Sequence, residues 1–368
     1  MQLTLSVSAG DTVTDIIQLN PTINWSGDIA QCGRVLSFGV LASPTDKNIP
    51  EVDIPLGAGV LLTADEEALF EGHVFSRQKL TDSNTIEITA FDRGFYLKKN
   101  KATYNFLNMT PKEITERVCA DFNIPVGKMA NPGVKISRNF IAASLYQIIQ
   151  TAYTLVSRIT GDYYHIRFDG PALTVRYKEV SDETLIIKGG SNLISAAVTE
   201  SIERMVNQVA IYGDDEKLLR TVKDDDMIKL YGLMQDQIKQ AKGEDAGAKA
   251  QKLIDDNGVS QKITINNLGN LECITGNAVV LQEPYTGLCG LFWIDSDMHT
   301  WKNNLYLNKL TLNFRRMMDE QEAGSLPEAK YSGGGSKPSK QQPVEEKWTY
   351  IGTRRESGGG GRRYAVTM

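Results

Sequence analysis

The sequence predicts a mainly β protein with a small α+β unit in its middle. Residues 1–91 and 191–322 contain short segments in which apolar and polar residues alternate, as they do in half-buried strands. Residues 100–190 instead contain helical periodicity behind two strong helix starts. With 368 residues, the chain is long enough for two or three domains.

The first β region comprises residues 1–99. Its alternating or apolar segments include LTLSVS, VLSFGVL and TIEITAF, and helical periodicity is absent, so we expect a small antiparallel barrel or sandwich. The region ends at a polar corner, Asp92-Arg93-Gly94, which is followed by an apolar cluster and then by Lys98 and Lys99. An acid and a base at a strand corner indicate that the pair fixes the corner or forms an interface, rather than catalysing a reaction.

The α+β unit comprises residues 100–190. TPKE at 110–113 and SLYQ at 144–147 are capping boxes, and each opens a segment with one apolar face. Gly161 is expected to end the second helix. The pattern at 163–177 then predicts a β-hairpin across Asp169-Gly170-Pro171.

The second β region comprises residues 191–322. Its predicted strands are NQVAIYG, QKITIN, NAVVLQ, GLFWIDS and LYLNKLTLNF. Residues 223–257 have a helical pattern, which predicts one or two helices inserted between strands. In the last strand the apolar phase changes after Leu307, and we expect a bulge near Asn308 and Lys309 to cause that change.

Residues 323–368 are predicted to form a flexible Gly/Ser-rich C-terminal arm. The arm contains one apolar segment, WTYI at 348–351. It is either a disordered tail or an arm that becomes ordered on a partner, and Trp348 and Tyr350 are the contacts expected in the second case.

Charge and composition exclude several classes of protein. The net charge is −5, and residues 324–368 contribute eight basic and four acidic side chains, which leaves −9 for residues 1–323. An acidic body does not grip nucleic acid, although it can line a passage through which DNA slides. We see no apolar run of membrane-spanning length and no secretory signal at the start, so we expect assembly in the cytoplasm and no membrane association.

No motif for a metal or a cofactor stands out. Cys32, Cys119, Cys273 and Cys289 are scattered, form no CxxC pair and have no histidine beside them, so we expect four buried, reduced thiols. Gly189-Gly190 lacks the lysine and the helix of a phosphate-binding loop.

Catalytic combinations are also weak. Asp295-Ser296-Asp297-Met298-His299 places Ser, Asp and His close together, but neighbours in a strand point to opposite faces, and we expect a polar turn that ends the GLFWI strand. The remaining candidates have structural explanations: a helix start for Asp224-Asp225-Asp226, solvated turns for Asp214-Asp215 and Asp255-Asp256, and a surface or packed residue for His165. The sequence therefore predicts no enzyme.

The two β regions end alike. Leu69-Phe70 precedes Phe91-Asp92-Arg93 by about the same interval as Leu291-Phe292 precedes Phe314-Arg315-Arg316. Either this similarity is chance, or the chain contains two copies of one β module. In the second case a trimer would present six similar modules around its axis.

Several ordered motifs resemble one family. LFEGHVFSRQ, AFDRGFYLKKN and TPKEITERVCADFNIP are followed by SLYQIIQTAYTLVSRITGDYYHIRF, MIKLYGLMQDQI and GLFWIDSDMHTWKNNLYLNKLTLNF. Together they are similar to the YqbQ/XkdQ-type proteins of the late control gene D superfamily, which are baseplate hub proteins of contractile phage tails and related particles. Lys302-Asn303-Asn304 replaces a more usual Lys-Asn-Gly turn, and residues 323–368 have no counterpart in this resemblance.

The resemblance implies a structural, homotrimeric hub between a sixfold tail tube and a threefold spike. It implies two tail-tube-like antiparallel β-barrel domains in each subunit, with the α+β unit between them. The expected partners are further copies of the chain, the tail tube protein, the central spike, and baseplate wedge and tape-measure proteins. DNA would be only passing cargo, and the final location would be a virion or a headless tail-like particle.

Two alternatives remain open beside the structural role. Relatives are sometimes labelled hydrolases, which would require activity from residues such as Ser296 or His299. A wall-binding module would instead use exposed aromatic side chains such as Trp293 and Trp301, although both lie in strand patterns typical of a core.

Overall fold

The structure is a computed structural model that describes residues 1–20, 22–42, 48–49, 52–80, 83–240 and 245–327. Most described residues in regular elements belong to strands, which confirms the prediction of a mainly β protein. The predicted contacts of the C-terminal arm, Trp348 and Tyr350, lie outside the described residues.

The first β region contains seven strands and a short 3-10 helix at Ile17–Leu19. The strands are β1 Leu3–Ala9, β2 Thr12–Asp15, β3 Thr22–Asp28, β4 Val35–Leu41, β5 Gly59–Ala64, β6 Glu67–Lys79 and β7 Thr85–Asp92.

The middle part alternates helices and strands. Its elements are α1 Gly94–Lys99, β8 Lys101–Met109, α2 Pro111–Asp121, β9 Val126–Met129, β10 Ile136–Ser144, α3 Leu145–Thr160, β11 Tyr164–Asp169 and β12 Ala172–Tyr177.

The last part returns to strands, with two helices among them. Its elements are β13 Leu185–Lys188, β14 Leu193–Ser201, β15 Gln208–Tyr212, β16 Leu218–Lys223, α4 Asp225–Tyr231, β17 Gln235–Lys239, α5 Ala246–Asp256, β18 Ser260–Leu268, β19 Ala278–Glu283, β20 Leu288–Lys302 and β21 Leu305–Asn313.

One 13-stranded sheet runs through both β regions. Its order is β14-β18-β21-β20-β3-β4-β7-β6-β5-β1-β2, and β19 and β13 extend it from the first half of β20. The two regions meet where β20 pairs antiparallel with β3, from Ser296 opposite Asp28 to Lys302 opposite Thr22. In the described part of the chain no sheet closes into a barrel and the two regions share one sheet, so the expectation of two barrels is not confirmed.

Each β region uses the same strand order. We call β3-β4-β7-β6-β5-β1 module 1 and β14-β18-β21-β20-β19-β13 module 2. In both, the long strand pairs with one hairpin partner through its first half and with another through its second half. The two partners are β5 and β7 for β6, and β19 and β21 for β20. The modules differ at one edge, since β1 is antiparallel to β5 whereas β13 is parallel to β19.

A shared bulge aligns the modules residue by residue. It lies between Val74 and Ser76 in β6 and between Ile294 and Ser296 in β20. The alignment matches Ser76, which is opposite Thr89, with Ser296, which is opposite Thr311. The repeated order thus agrees with the repeat indicated by the sequence. The residue matches differ, however, because they pair Phe91 with Asn313 rather than with Phe314.

Alternation gives each module its own core on one face of the sheet. The core of module 1 includes Leu5, Leu36, Phe38, Leu62, Ile88 and Trp301. The core of module 2 includes Ile187, Ile263, Ile265, Leu281, Ile294 and Leu310.

The α+β unit has a separate core, to which α3 contributes more buried residues than any other element. Both predicted capping boxes are present, at Thr110 and Ser144, and Gly161 ends α3 with a φ of 76°. The predicted hairpin is the pair β11–β12. Leu97 of α1 belongs to this core, although the sequence assigned it to the first β region. The domain boundaries themselves stay a prediction.

The insertion at 223–257 differs from its prediction. It contains α4 and α5, but β17 lies between them and pairs in parallel with β15. Gly232, with a φ of 84°, ends α4, and the following residues extend along β15. The apolar residues Met234 and Ile238 fit both a helical and a strand period, so the sequence pattern did not separate the two.

Two further expectations were wrong. The strand β21 pairs regularly with β20 across Asn308 and Lys309, and the bulge lies in β20 instead. The apolar phase changes because Asn308 itself is buried beside Leu310 and Leu312, while Leu305 and Leu307 lie on the other face. Cys289 is exposed, whereas Cys32, Cys119 and Cys273 are buried as predicted.

After β21 the chain returns to the α+β unit. Tyr146 donates to Asp319 Oδ2 over 2.6 Å, and Lys178 Nζ donates to the Met317 carbonyl over 2.7 Å. Ala323 N donates to Thr151 Oγ1 over 3.1 Å. This segment ties the unit to module 2. Among the described residues, no helix is long and apolar enough to cross a membrane.

Candidate functional site

The polar corner of module 1 is built around the buried carboxylate of Asp92. It accepts from Arg34 N over 2.9 Å and from Gly94 N over 2.8 Å, and these bonds fix the start of α1 against β4. Burial raises the pKa of Asp92 to about 6, although both backbone donors act in the opposite direction. Of the two roles predicted for Asp92, fixing the corner or forming an interface, these contacts can perform the first.

The other predicted interface residues of this corner lie nearer to solvent. Arg93 is half-buried, with Nη2 at 3.8 Å from Glu71 Oε1. Lys98 is exposed and donates to the Ala30 carbonyl over 2.8 Å, and Lys99 is exposed with its ammonium 5.4 Å from the Phe95 ring centroid. Their contribution to an interface stays a prediction.

Arg34 connects this corner to the joint between the modules, which is the pairing of β3 with the second half of β20. Its backbone N–H binds Asp92, while its guanidinium binds both carboxylate oxygens of Asp297 in β20, with Nη1 at 3.0 Å from Oδ1. The guanidinium also lies 3.9 Å from the ring centroid of Trp25. An added Cβ at Gly27, which lies opposite Asp297 in β3, would be 2.4 Å from Arg34 Nη1. A side chain at this position would therefore displace the Arg34 guanidinium, which pairs with Asp297.

Asp297 is satisfied on every side. Its Oδ1 accepts from Thr275 N over 2.7 Å and from Thr275 Oγ1 over 2.6 Å. Burial alone would raise the pKa of Asp297, but the Arg34 guanidinium and the His299 hydrogen bond outweigh it and hold the pKa below its ordinary value. The carboxylate thus stays charged and pairs with Arg34 inside the joint.

His299 extends the network into the core of module 2. Its Nε2 lies 3.1 Å from the Cys273 carbonyl and 3.3 Å from Asp297 Oδ2, and its Nδ1 lies 2.7 Å from Tyr306 Oη. Burial lowers the pKa of His299, although Asp297 acts in the opposite direction, so the imidazole is neutral at pH 7. Neutral histidine with its proton on Nε2 satisfies these partners, because Tyr306 can then donate to Nδ1.

This network is not arranged as a catalytic site. The segment 295–299 is not the predicted turn but the middle of the long strand β20, so Asp297 and His299 share one face and Ser296 lies on the other. His299 is 0% exposed, which leaves no path for a substrate. Burial also raises the pKa of the neighbouring Cys273 thiol to about 12, so it is not a thiolate nucleophile.

The remaining sequence candidates have structural surroundings. Trp293 and Trp301 are buried, and neither presents its ring for sugar stacking. His165 is buried against Gly276, and burial lowers its pKa to about 3. Asp224 caps α4 by accepting from Met227 N over 2.9 Å, as predicted.

The acidic pairs lie at the surface. Asp214 and Asp215 are exposed in a turn, as predicted, whereas Asp255 and Asp256 are exposed at the end of α5 rather than in a turn. In the described ranges, no cluster of three or more His, Cys, Asp or Glu side chains has the proximity that a metal site needs.

Sequence reasoning missed Arg34, Thr275 and Tyr306, which complete the joint. They lie in three separate segments, and only the paired strands bring them together. The available signal was weak: Asp297 and His299 occur at alternate positions of one strand pattern, and Asn308 lies between apolar positions of the next. A buried network is one explanation of both.

The sheet face opposite the two cores is rich in hydroxyl and amide side chains. By alternation this face carries Thr4, Ser6, Ser8, Asn24, Ser26, Ser37, Thr63, Thr89, Ser195, Thr199, Thr264, Asn266, Ser296, Thr300 and Thr311. Charged side chains on it include Asp28, Glu87, Lys262 and Lys309, two of each sign. The face is therefore polar with little local net charge.

Two sequence relatives are similar to most of this chain. It is 27% identical over 310 residues to the phage-like element PBSX protein XkdQ of Bacillus subtilis (strain 168), which covers 81% of this chain and 94% of the relative. It is 28% identical over 263 residues to the uncharacterized protein YqbQ of the same organism, which covers 68% of this chain and 79% of that one.

Solved structures share the fold. The 43 kDa tail protein of prophage MuSo2 from Shewanella oneidensis superposes with a TM-score of 0.61 at 14% identity, over 84% of this chain and 98% of that one. The tail protein from Neisseria meningitidis MC58 gives 0.59 at 14% identity, over 85% and 96%. A family model described as YQBQ-like matches residues 23–313. The chain therefore belongs to the YQBQ-like family, which confirms the resemblance seen in its sequence motifs.

Proposed function

We propose that this protein is a structural component of a phage-type tail, where three copies form the baseplate hub between a sixfold tube and a threefold spike. The main observation that supports this proposal is the internal repeat, because one chain contributes two β modules with the same strand order. Three such chains around an axis present six similar modules, which is the symmetry that such an adaptor requires.

Two further observations support this role. The relative XkdQ is named as a protein of a phage-like element, and two proteins with the same fold are named tail proteins. In addition, the hydroxyl-rich face has mixed charges, which would give a ring a bore that does not retain DNA.

The partners follow from this position. Besides its own copies, the hub would contact the tail tube protein, the central spike, and wedge and tape-measure proteins. Arg93, Lys98 and Lys99 at the corner, and Trp348 and Tyr350 of the arm, are the proposed contact residues. The particle would be a contractile phage tail or a headless tail-like particle. The protein would assemble in the cytoplasm.

The experiment is a cryo-microscopy map of the tail tip of particles that carry this chain. We expect three copies per particle, with both modules of each copy surrounding the axis at one level. A copy number of six, or copies located only on the outer sheath, would overturn the proposal. The same map would show whether the bore is neutral, as expected.

A further inference from the structure

The internal joint has an unused counterpart within the same chain. In the joint, β3 of module 1 pairs with the second half of β20 in module 2. The repeat matches β3 with β14 and β20 with β6. The strand β14 ends the sheet, and within the described ranges no strand pairs with the second edge of Ser76–Lys79 in β6. Each chain therefore presents one copy of each half of the joint.

We infer that β14 of one subunit pairs antiparallel with the second half of β6 in the next subunit, repeating the β3–β20 joint. This inference rests on the proposed trimer and names the surfaces that hold it together. Because the two surfaces differ, the contact is head-to-tail, and three repetitions close a ring in which six modules are linked by alternating internal and external joints.

The shared bulge fixes the register of this external joint. Within module 1, Asn24 lies opposite Ser37, which lies opposite Thr89. Within module 2, Ala197 lies opposite Thr264, which lies opposite Thr311. Matching these rows and transferring the register of β20 on β3 gives the following pairs: Ser76 with Ser201, Arg77 with Glu200, Gln78 with Thr199, Lys79 with Val198, and Leu80 with Ala197.

This register brings complementary charges together. Arg77 and Glu200 are both exposed in the single chain, and the register places them directly opposite each other on the core side of the sheet. The Arg77 side chain is already positioned beside this edge, because its Nη1 donates to the Ile54 carbonyl over 3.2 Å. The position equivalent to Arg77 in the internal joint is Asp297, which also carries an ion pair. Each joint would thus contain one arginine–carboxylate pair.

The free edges also resist wrong pairing. Arg77 and Lys79 on β6 and Glu200 on β14 are charges that a neutral or like-charged edge would leave without a counterion. Pairing β6 with β6 would place basic residues against basic residues. The edges therefore favour a second copy of this chain, and in one orientation.

Cysteine cross-linking tests the register. Arg77→Cys and Glu200→Cys are introduced together into the full chain, with the exposed Cys289 replaced by serine to remove background. Residues directly opposite each other in antiparallel strands have Cα atoms about 4.5–5.5 Å apart, within disulfide range. The matched control is Ser76→Cys with Ser195→Cys, which the register separates by six residues, or about 20 Å.

We expect mild oxidation to give covalent dimers and trimers with the first pair and not with the control. A trimer by mass in which neither pair cross-links would overturn this joint and leave the proposed trimer intact. A cross-linked species of monomer mass would also overturn it, because the two edges would then meet within one chain. Both proposals would be overturned if the chain were a monomer by mass at high concentration and if particles contained single, separate copies of it.

Charge exchange gives an independent readout. Arg77→Glu and Glu200→Arg should each weaken subunit association by about fivefold per joint, because each places like charges opposite each other. The double variant should restore association to within about twofold. Equal weakening in the double variant would show that these two side chains do not face each other.

Discussion

The two β modules share a strand order but differ in what they place at the same edge. In module 2 the second half of β20 contributes Asp297 and His299 to a buried network, because β3 covers that edge. In module 1 the equivalent residues, Arg77 and Lys79, are exposed. The difference shows that the kind of polar residue depends on whether the edge is covered: the covered edge has a buried hydrogen-bonded network, and the open edge has charges that face solvent.

The strands next to this edge show the same difference. Asn267 and Asn308 of module 2 are buried: Asn267 Nδ2 donates to Asn308 Oδ1, and Asn308 Nδ2 lies 2.9 Å from His299 Nδ1. The matching positions of module 1 are Val40 and Ile86. In module 1 these positions can be apolar, because no buried histidine there needs a hydrogen-bond partner. Polar core residues therefore indicate the joint and not a reaction centre.

The largest effect should come from removing the carboxylate of the internal joint. Asp297→Ala leaves the Arg34 guanidinium and the Thr275 donors without their acceptor, which we expect to lower the free energy of unfolding by about 3–5 kcal/mol. Urea denaturation of the purified chain measures this loss.

Arg77→Ala at the equivalent position of module 1 is the matched control. Its side chain is exposed, so the free energy of unfolding of the monomer should change by less than about 0.5 kcal/mol. Similar losses in the two variants would contradict the distinction between a covered and an open edge.

The pH dependence of the corner in module 1 should give the next largest effect. The pKa of Asp92 is about 6 in the folded chain and 3.8 in the reference state, so protonation stabilises the fold below pH 3.8 and this contribution is lost as pH rises through 6. Relative to Asp92→Asn, the wild-type chain should lose roughly 2–3 kcal/mol of unfolding free energy across that window.

Urea denaturation of both proteins at pH 4 and pH 7 measures the difference. Module 2 supplies the contrast, since the pKa of Asp297 is lowered and Asp297 contributes stability that is lost as pH falls below its reference value of 3.8. A constant difference between wild type and Asp92→Asn at all pH values would show that Asp92 stays charged in the folded chain.

Removing the imidazole of His299 should have a smaller effect. His299→Leu leaves Tyr306 Oη and the Cys273 carbonyl without their partner, and we expect a loss of about 1–3 kcal/mol at pH 7. Lys79→Leu is the matched change at the open edge and should be neutral within about 0.5 kcal/mol. Equal unfolding midpoints for His299→Leu and wild type would mean that the network does not stabilise module 2.

Local signals in the sequence predicted the elements well where chemistry within a few residues decides them. Both capping boxes, the end of α3 at Gly161 and the cap at Asp224 depend on side chains that bond their own helix. The mainly β character followed from alternation. These features do not depend on the rest of the fold, so one sequence was enough to find them.

The joint could not be predicted in this way. Arg34 and Asp297 are 263 residues apart, and their contact exists only because β3 and β20 pair. Without that pairing, the DSDMH segment resembles a polar turn, and the change of phase at Asn308 resembles a bulge. The single sheet was missed for the same reason, because strand pairing across two regions leaves no periodic pattern in either one.

The smallest effect on folding should come from the hydroxyl-rich face, where the two modules are alike. Thr89 and Thr311 are equivalent, half-buried residues on that face, so Thr89→Lys and Thr311→Lys should each change the free energy of unfolding by about 0.5 kcal/mol or less.

If the face lines a bore, however, a trimer with both changes would gain six positive charges around one passage. Retention of duplex DNA should then appear and should weaken steeply with added salt, whereas wild type should show neither. Binding assays at two salt concentrations measure this, and Thr89→Gln with Thr311→Gln controls for side-chain size. If the lysine trimer bound DNA no better than the glutamine trimer, this face would not surround a passage, and the equivalence of the two modules would concern their folding alone.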